Sequence, residues 1–259
     1  MPELIYIKVL VLALIQGLTE FLPISSSAFL VVAEEIINLN NKNLNLLFNI
    51  SVHSGSLLAV LIYFKKEILS LVRNYKLLFN LIIATIPVVI VGFIVKVFNI
   101  NIILQNINVI ASATIIFSII LFLSDKTKVA LKFENSISNK NALIIGLAQV
   151  LALIPGTSRS GITMTAARYL GFSRVDASKF SFLISIPVLS AATFLGLVDA
   201  TFNFNSDILI LLLFGCVTSF IFSYLCIKIF LSFVEKNSLT LFVILRLIIG
   251  LGLFIYILT

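Results

Sequence analysis

Pro155-Gly-Thr-Ser-Arg-Ser-Gly161 interrupts an otherwise apolar run between residues 141 and 170. Proline and glycine break a helix there, and the same turn carries an arginine, two serines and a threonine. An arginine at the centre of a membrane helix costs at least ~2.5 kcal/mol. Loosened backbone at that depth also needs partners, because hydrocarbon offers none. A turn this costly handles something polar. A guanidinium among hydroxyls suits an anion, since its planar fork matches phosphate or carboxylate oxygens.

The surroundings of that turn establish that the setting is a membrane. The chain has 259 residues, 60% hydrophobic and 11% charged, and a mean hydropathy of +1.18. That balance excludes a soluble domain. The net charge of +7 lies in segments between apolar stretches, so it reads as membrane topology, and no nucleic-acid partner is expected. Cys216 and Cys226 lie in one apolar segment with no Cys or His at ligand spacing, and read as packing residues. The first apolar stretch is followed by Gln16, Glu20 and Pro23 rather than a small-residue cleavage site, so it is not expected to be a cleavable signal.

Eight apolar stretches are legible, at about 4–32, 44–64, 77–98, 106–123, 141–170, 179–198, 207–233 and 239–258. Six read as simple spans. The first and fifth are broken near the middle, by Pro23-Ile-Ser-Ser-Ser27 and by Pro155-Gly-Thr-Ser-Arg-Ser160. Broken helices are tolerated at membrane depth where they line a polar cavity.

Loop charge then sets the topology. Segment 65–76 (Lys65, Lys66, Glu67, Arg73, Lys76) and segment 124–140 (Lys126, Lys128, Lys132, Lys140 against Asp125 and Glu134) are net positive and expected in the cytoplasm. Segment 33–43, with Glu34, Glu35 and Lys42, and segment 199–207, with Asp199 and Asp207, are expected outside. Two apolar stretches separate 124–140 from 199–207, so one of them cannot cross. If 141–170 enters and returns on the cytoplasmic side, the count closes, with Lys236 inside and the C-terminus outside. If the first stretch mirrors it from the outside, the halves 1–123 and 141–259 form an inverted repeat. The alternative, unrelated helices with coincidental prolines, stays open. The expected fold is an all-α polytopic membrane protein, one integral membrane domain over 1–259, with six transmembrane helices plus two re-entrant helical hairpins in an inverted-topology repeat.

Within the first break, Gln16 and Glu20 share a helical face. Pro23 ends that helix, and Ser25, Ser26 and Ser27 can cap the next. Within the second, Ser158 can cap, and Arg159 and Thr163 share a face. Two half-helices presenting N-terminal ends near the midplane favour an anion. Glu20 reads either as a salt bridge to Arg159 or as a metal ligand or general base beside the anion, and the two can coexist. The serines read as caps, as a nucleophile or as phosphate-oxygen donors. His53 reads as a hydrogen-bonded structural group or a catalytic one. Arg168 and Arg174 read as topology charges, and Ser173-x-x-Asp176 as a capping box. Ser181 and Ser185 either back-bond to their own helix, the favoured reading, or line the cavity. Arg246 either meets an acidic group or snorkels.

Gly17-Leu-Thr-Glu-Phe-Leu-Pro-Ile-Ser-Ser26, Pro155-Gly-Thr-Ser-Arg-Ser-Gly-Ile-Thr163 and Ala177-Ser-Lys-Phe-Ser-Phe-Leu183 resemble the motifs of the undecaprenyl-diphosphate phosphatase, or bacitracin-resistance, family, and the resemblance runs over essentially the whole length. It implies hydrolysis of a polyprenyl diphosphate lipid to the monophosphate plus phosphate at the outer face of the bacterial inner membrane. That reaction recycles the carrier for peptidoglycan synthesis and is linked with bacitracin resistance. By position it implies Glu20 as the acidic catalytic or metal-linked residue, Ser26 as nucleophile and Arg159 as phosphate clamp. Gln16, Ser25, Ser27, His53, Ser158, Ser160 and Thr163 would surround the substrate. It also implies a divalent cation (Mg or Ca) at Glu20, and is compatible with a homodimer. The family's first motif usually has two glutamates and its serine run is usually followed by Gly-His; here Gln16 and Ala28-Phe29 stand in those places. A lipid-phosphate or anion transporter (flippase), or a weakly active relative, is the rival expectation.

Overall fold

The structure is a computed structural model that describes residues 2–26, 29, 42–71, 73–100, 104–131, 137–200 and 206–258. The expected outside segment around Glu34 and Glu35, together with Ser27, Lys132 and Glu134, lies outside the described residues.

The described chain is a bundle of helices: α1 (Pro2–Thr19), α2 (Lys42–Tyr63), the short α3 (Lys65–Ser70), α4 (Tyr75–Val97), α5 (Ile107–Asp125), α6 (Asn139–Val150), α7 (Arg159–Tyr169), α8 (Arg174–Asp199), α9 (Ser206–Lys236) and α10 (Thr240–Leu258). Six of these, α2, α4, α5, α8, α9 and α10, are long and apolar enough to cross a membrane. Two shorter apolar helices, Ile5–Thr19 and Asn139–Leu153, are the leading arms of the two broken segments and fit hairpins that do not cross. All eight apolar stretches read from sequence are therefore present as helices. Pro87 and Pro187 lie inside α4 and α8 without ending them, as membrane helices tolerate.

Lipid gives no hydrophobic drive for helix association, so close backbone approach and buried polar contacts hold such a bundle. Both occur here. A Cβ on Gly55 of α2 would lie 2.3 Å from Cys216 O of α9, and one on Gly146 of α6 would lie 2.6 Å from Ala84 O of α4. Beside Gly55, the buried Ser56 hydroxyl lies 3.1 Å from Ser219 Oγ and 2.9 Å from Ser223 Oγ. Asn80 of α4 donates to Ile137 O at 2.9 Å, and Gln149 of α6 donates to Ala84 O at 3.1 Å. A chain of aromatic rings fills the space between helices: Phe21 and Phe64 each meet Phe182, which meets Phe230, which meets Phe242.

One end of the bundle is tied by Asp125, the last residue of α5. Its carboxylate accepts from Arg174 Nε at 2.6 Å and Nη2 at 3.1 Å, and from Leu239 N at 3.0 Å. Arg168, buried, stands 3.6 Å from the same carboxylate and donates to the carbonyls of Phe172, Asp125 and Thr127. Arg168 and Arg174 are thus more than topology charges. Sequence shows their sign but not that one aspartate gathers them. The segments after α5, between α7 and α8 and before α10, all expected inside, meet at this end. At the other end Lys96 of α4 pairs with Asp199 of α8 at 2.7 Å, so those two helices finish on one side, as the loop charges require. Asp125→Ala leaves Arg174 and the Leu239 N–H without their acceptor and removes the carboxylate beside the buried Arg168. It is expected to cost about 2 kcal/mol, below the fully buried value because Arg174 is partly exposed. A lowered thermal midpoint in detergent checks this, and an unchanged midpoint contradicts it.

Candidate active site

Pro23 lies four residues beyond the end of α1, and the chain leaves through Ile24, Ser25 and Ser26. In the second broken segment α6 runs into one 3-10 turn, Leu151–Leu153, before Pro155. Gly156 takes φ +94 and Ser158 takes φ +68. The first is a conformation glycine adopts freely. The second is strained for a serine, and such strain concentrates at functional sites. Ser158 is the N-cap of α7, its Oγ accepting from Gly161 N at 3.1 Å, as its place in the sequence suggests.

These two breaks meet. Arg159 Nη2 donates to Glu20 Oε1 at 2.9 Å, and Nη1 donates to Ser181 O at 3.1 Å. Glu20 Oε2 accepts from Gln16 Nε2 at 2.7 Å. Ser160 Oγ donates to Leu22 O at 2.6 Å and lies 3.2 Å from Ser158 Oγ. The side chains of Arg159 and Glu20 are 12% and 8% exposed, so neither charge is screened by bulk water. Thr163 Oγ1 bonds back to Arg159 O at 2.9 Å and meets Ser181 Oγ at 2.7 Å. Ser181 therefore joins the site rather than only back-bonding, whereas Ser185 does back-bond, to Phe182 O at 2.6 Å. The Ser173–Asp176 capping box is present, with Asp176 N donating to Ser173 Oγ at 3.0 Å.

His53 of α2 completes the cluster. Its Nε2 stands 4.0 Å from Glu20 Oε2, on a side chain 29% exposed. Its Nδ1 lies 2.7 Å from Asn49 O. A carbonyl only accepts, so Nδ1 holds the proton, and in the neutral ring Nε2 is the basic nitrogen, turned to the carboxylate. Ser26 is half-buried, and its hydroxyl has no partner among the described residues. Ser25 is buried and hydrogen-bonded. Ser27 lies outside the described residues. Phe29, where a family histidine would stand, packs against the apolar core.

Among the described residues no group of three or more His, Cys, Asp or Glu side chains could hold a metal ion. The donors at hand are one carboxylate, Glu20, and the buried Gln16 Oε1, which has no hydrogen-bond partner. That set is too small for an all-protein cage. It fits a hard cation that takes its remaining ligands from phosphate oxygens and water, as magnesium commonly does.

Arg246 is the residue whose role the sequence left open. Among the described residues it meets no acidic group, and it does not snorkel. Fully buried in α10, it donates to Thr157 O at 2.8 Å, Gly156 O at 3.1 Å and Pro23 O at 3.4 Å. The signal was there, an arginine within an apolar span, but its acceptors are backbone groups far away in sequence, which no side-chain pattern marks.

Taken together, fold and site define a polytopic all-α membrane protein in which two broken helices meet at a buried arginine–carboxylate pair. The chain belongs to the bacitracin resistance protein BacA family, whose model matches residues 9–252. It is 46% identical over 255 residues to an undecaprenyl-diphosphatase of Pelagibacter ubique (strain HTCC1062), covering 97% of each chain. It is 42% identical over 266 residues to an undecaprenyl-diphosphatase of Aliivibrio salmonicida (strain LFI1238), covering 96% of this chain and 97% of the relative.

Proposed function

We propose that this protein is a membrane phosphatase that hydrolyses undecaprenyl diphosphate to the monophosphate and inorganic phosphate, which ties it to peptidoglycan carrier recycling and to bacitracin resistance. The observation that carries this is the Arg159–Glu20 pair at the meeting of the two breaks, in a chain whose relatives carry the name of that reaction. No observation favours the transporter.

Phosphoryl transfer leaves the protein mainly positioning and charge stabilisation to supply. Arg159 releases Glu20 and takes up oxygens of the terminal phosphoryl group, and the N-terminus of α7 adds its free N–H groups. Ser26 Oγ attacks phosphorus in line. The bond from phosphorus to the bridging oxygen breaks, and undecaprenyl phosphate leaves with that bond's electron pair. The serine proton passes to Glu20 or to His53 Nε2. Water then cleaves the phosphoserine and releases phosphate. A divalent cation, held by Glu20 and Gln16 Oε1 with the diphosphate oxygens, would supply further charge neutralisation. Direct attack by water uses the same groups without the phosphoserine.

Two re-entrant hairpins in inverted halves fit this picture. The packing supports them, since α1 lies on α9 of the other half and α6 lies on α4 of the other half. Both ends of the 139–169 segment also lie at the Asp125 end, through Asn80 to Ile137 O and Arg168 to Thr127 O. With the basic loops inside, the first broken segment would open outward, which supports a site that faces the periplasm of the inner membrane.

The test is phosphate release from undecaprenyl diphosphate by the purified full chain, with and without a chelator. Release that the chelator suppresses supports both the reaction and the cation; no release with any divalent ion overturns the reading. Ser26→Ala is expected to lower the rate by about 10²-fold or more if the serine is the nucleophile. Near-full activity in that variant assigns the attack to water.

A further inference from the structure

We propose that Arg246 is a positioning residue of the phosphate site. One guanidinium sets both helix breaks by holding Pro23 O of the first and Gly156 O and Thr157 O of the second; this rests on the phosphatase reading above. Among the described residues the ion pairs do not include Arg246, so its three acceptors are carbonyls freed where the helices break. A buried arginine without a carboxylate is expensive. Stapling α10 to the bundle would not require it to reach these particular carbonyls.

The peptide plane gives the arrangement its use. A trans peptide carries its C=O and the following N–H on opposite sides. Drawing Thr157 O and Gly156 O toward Arg246 turns the Ser158 and Thr157 N–H groups the other way. Thr157 N finds Ile154 O at 3.2 Å. Ser158 N stands at the α7 N-terminus beside Arg159, where a phosphoryl oxygen needs donors. On the first break, holding Pro23 O fixes the peptide from which Ile24, Ser25 and Ser26 continue. Arg246 thereby orients the backbone on both sides of the substrate without touching it. Its fit is close: a Cβ on Gly161 would lie 2.7 Å from Arg246 Nη1.

Positioning and charge predict different kinetics. Arg246→Lys keeps the charge, but an ammonium point donor cannot span three carbonyls. For Arg246→Lys and Arg246→Gln, kcat on undecaprenyl diphosphate is expected to fall on the order of 10²-fold, with KM within about threefold of wild type. A kcat within about threefold of wild type in both variants overturns the proposal. So does a loss carried by KM, or a lysine variant that restores full kcat, because then only the charge counts. If neither variant accumulates folded, Gly161→Ala displaces the fork and is expected to show the same kcat loss; a wild-type kcat there overturns the proposal.

A second readout does not need activity. In a Cys216→Ala, Cys226→Ala background, a Leu22→Cys, Ser160→Cys pair spans the breaks where Ser160 Oγ meets Leu22 O at 2.6 Å. Oxidative cross-linking of that pair is expected to slow about tenfold with Arg246→Gln, because the thiols are no longer held in register. Equal rates overturn the proposal. If the cysteine pair with Arg246 intact cross-links at the faster rate while the native chain releases no phosphate, the phosphatase reading is overturned instead.

Discussion

Arg159→Ala is expected to lower phosphate release by about 10³-fold or more, the loss associated with removing an arginine from a transferring phosphoryl group. Two effects combine. The charge that receives the phosphoryl oxygens is gone, and Glu20, 8% exposed, keeps its burial without its partner. A buried carboxylate so abandoned either takes up a proton or distorts the site, and either outcome removes it as a base. Arg159→Lys discriminates between charge and shape. Here the guanidinium reaches Glu20 and Ser181 O at once, which an ammonium does not reproduce, so lysine is expected to recover only a small part of the rate. Steady-state phosphate release by the purified variants measures this, and an alanine variant within tenfold of wild type would refute the clamp.

Gly156→Ala is expected to be the most damaging small substitution in the chain. With φ at +94, an L-residue meets its own carbonyl, which costs about 1–2 kcal/mol. The new Cβ would also stand 2.3 Å from Ile110 O and 2.9 Å from Thr114 Oγ1 of α5. Neither neighbour is the free end of a flexible side chain: one is backbone inside a helix, and the other is hydrogen-bonded to Ile110 O at 2.7 Å. Overpacking adds about 1–3 kcal/mol, so the total is about 2–5 kcal/mol. The expected result is a large fall in thermal midpoint or loss of folded protein from the membrane fraction. A variant of wild-type stability would show that the turn relaxes without cost.

The fold was legible because membrane physics writes long signals. Eight apolar stretches, loop charges and two mid-stretch prolines were enough to place every described spanning helix. Half of the candidate site was legible too, since Glu20, Arg159, Ser158 and Ser160, which the structure brings together, are costly residues in costly places. What stayed hidden depends on contacts between distant chain positions. Asp125 read as one acidic residue in a basic loop, yet it gathers Arg174, Arg168 and Leu239 N. Among the described residues Arg246 bonds to backbone alone, and backbone is the same in every sequence. Ser181 lies at an ordinary helical position, and His53, although a candidate from sequence, has no neighbour in sequence that ties it to Glu20. Only the packing of α8 and α2 against the breaks gives them a place beside Arg159 and Glu20.

The seam between α2 and α9 bears on how a lipid reaches this site. Gly55 sits so near Cys216 O that a methyl group would not fit, and three serine hydroxyls interlock beside it. Helices that mesh this closely resist sliding, because interfaces without free volume shift only by breaking contacts. Rocking of one half past the other, the motion that alternating access requires, would have to shear that seam. The moving part in the catalytic cycle is therefore expected to be the lipid, which diffuses within its leaflet to a stationary site. Amide exchange along residues 51–56 and 215–223 should accordingly be among the slowest in the protein.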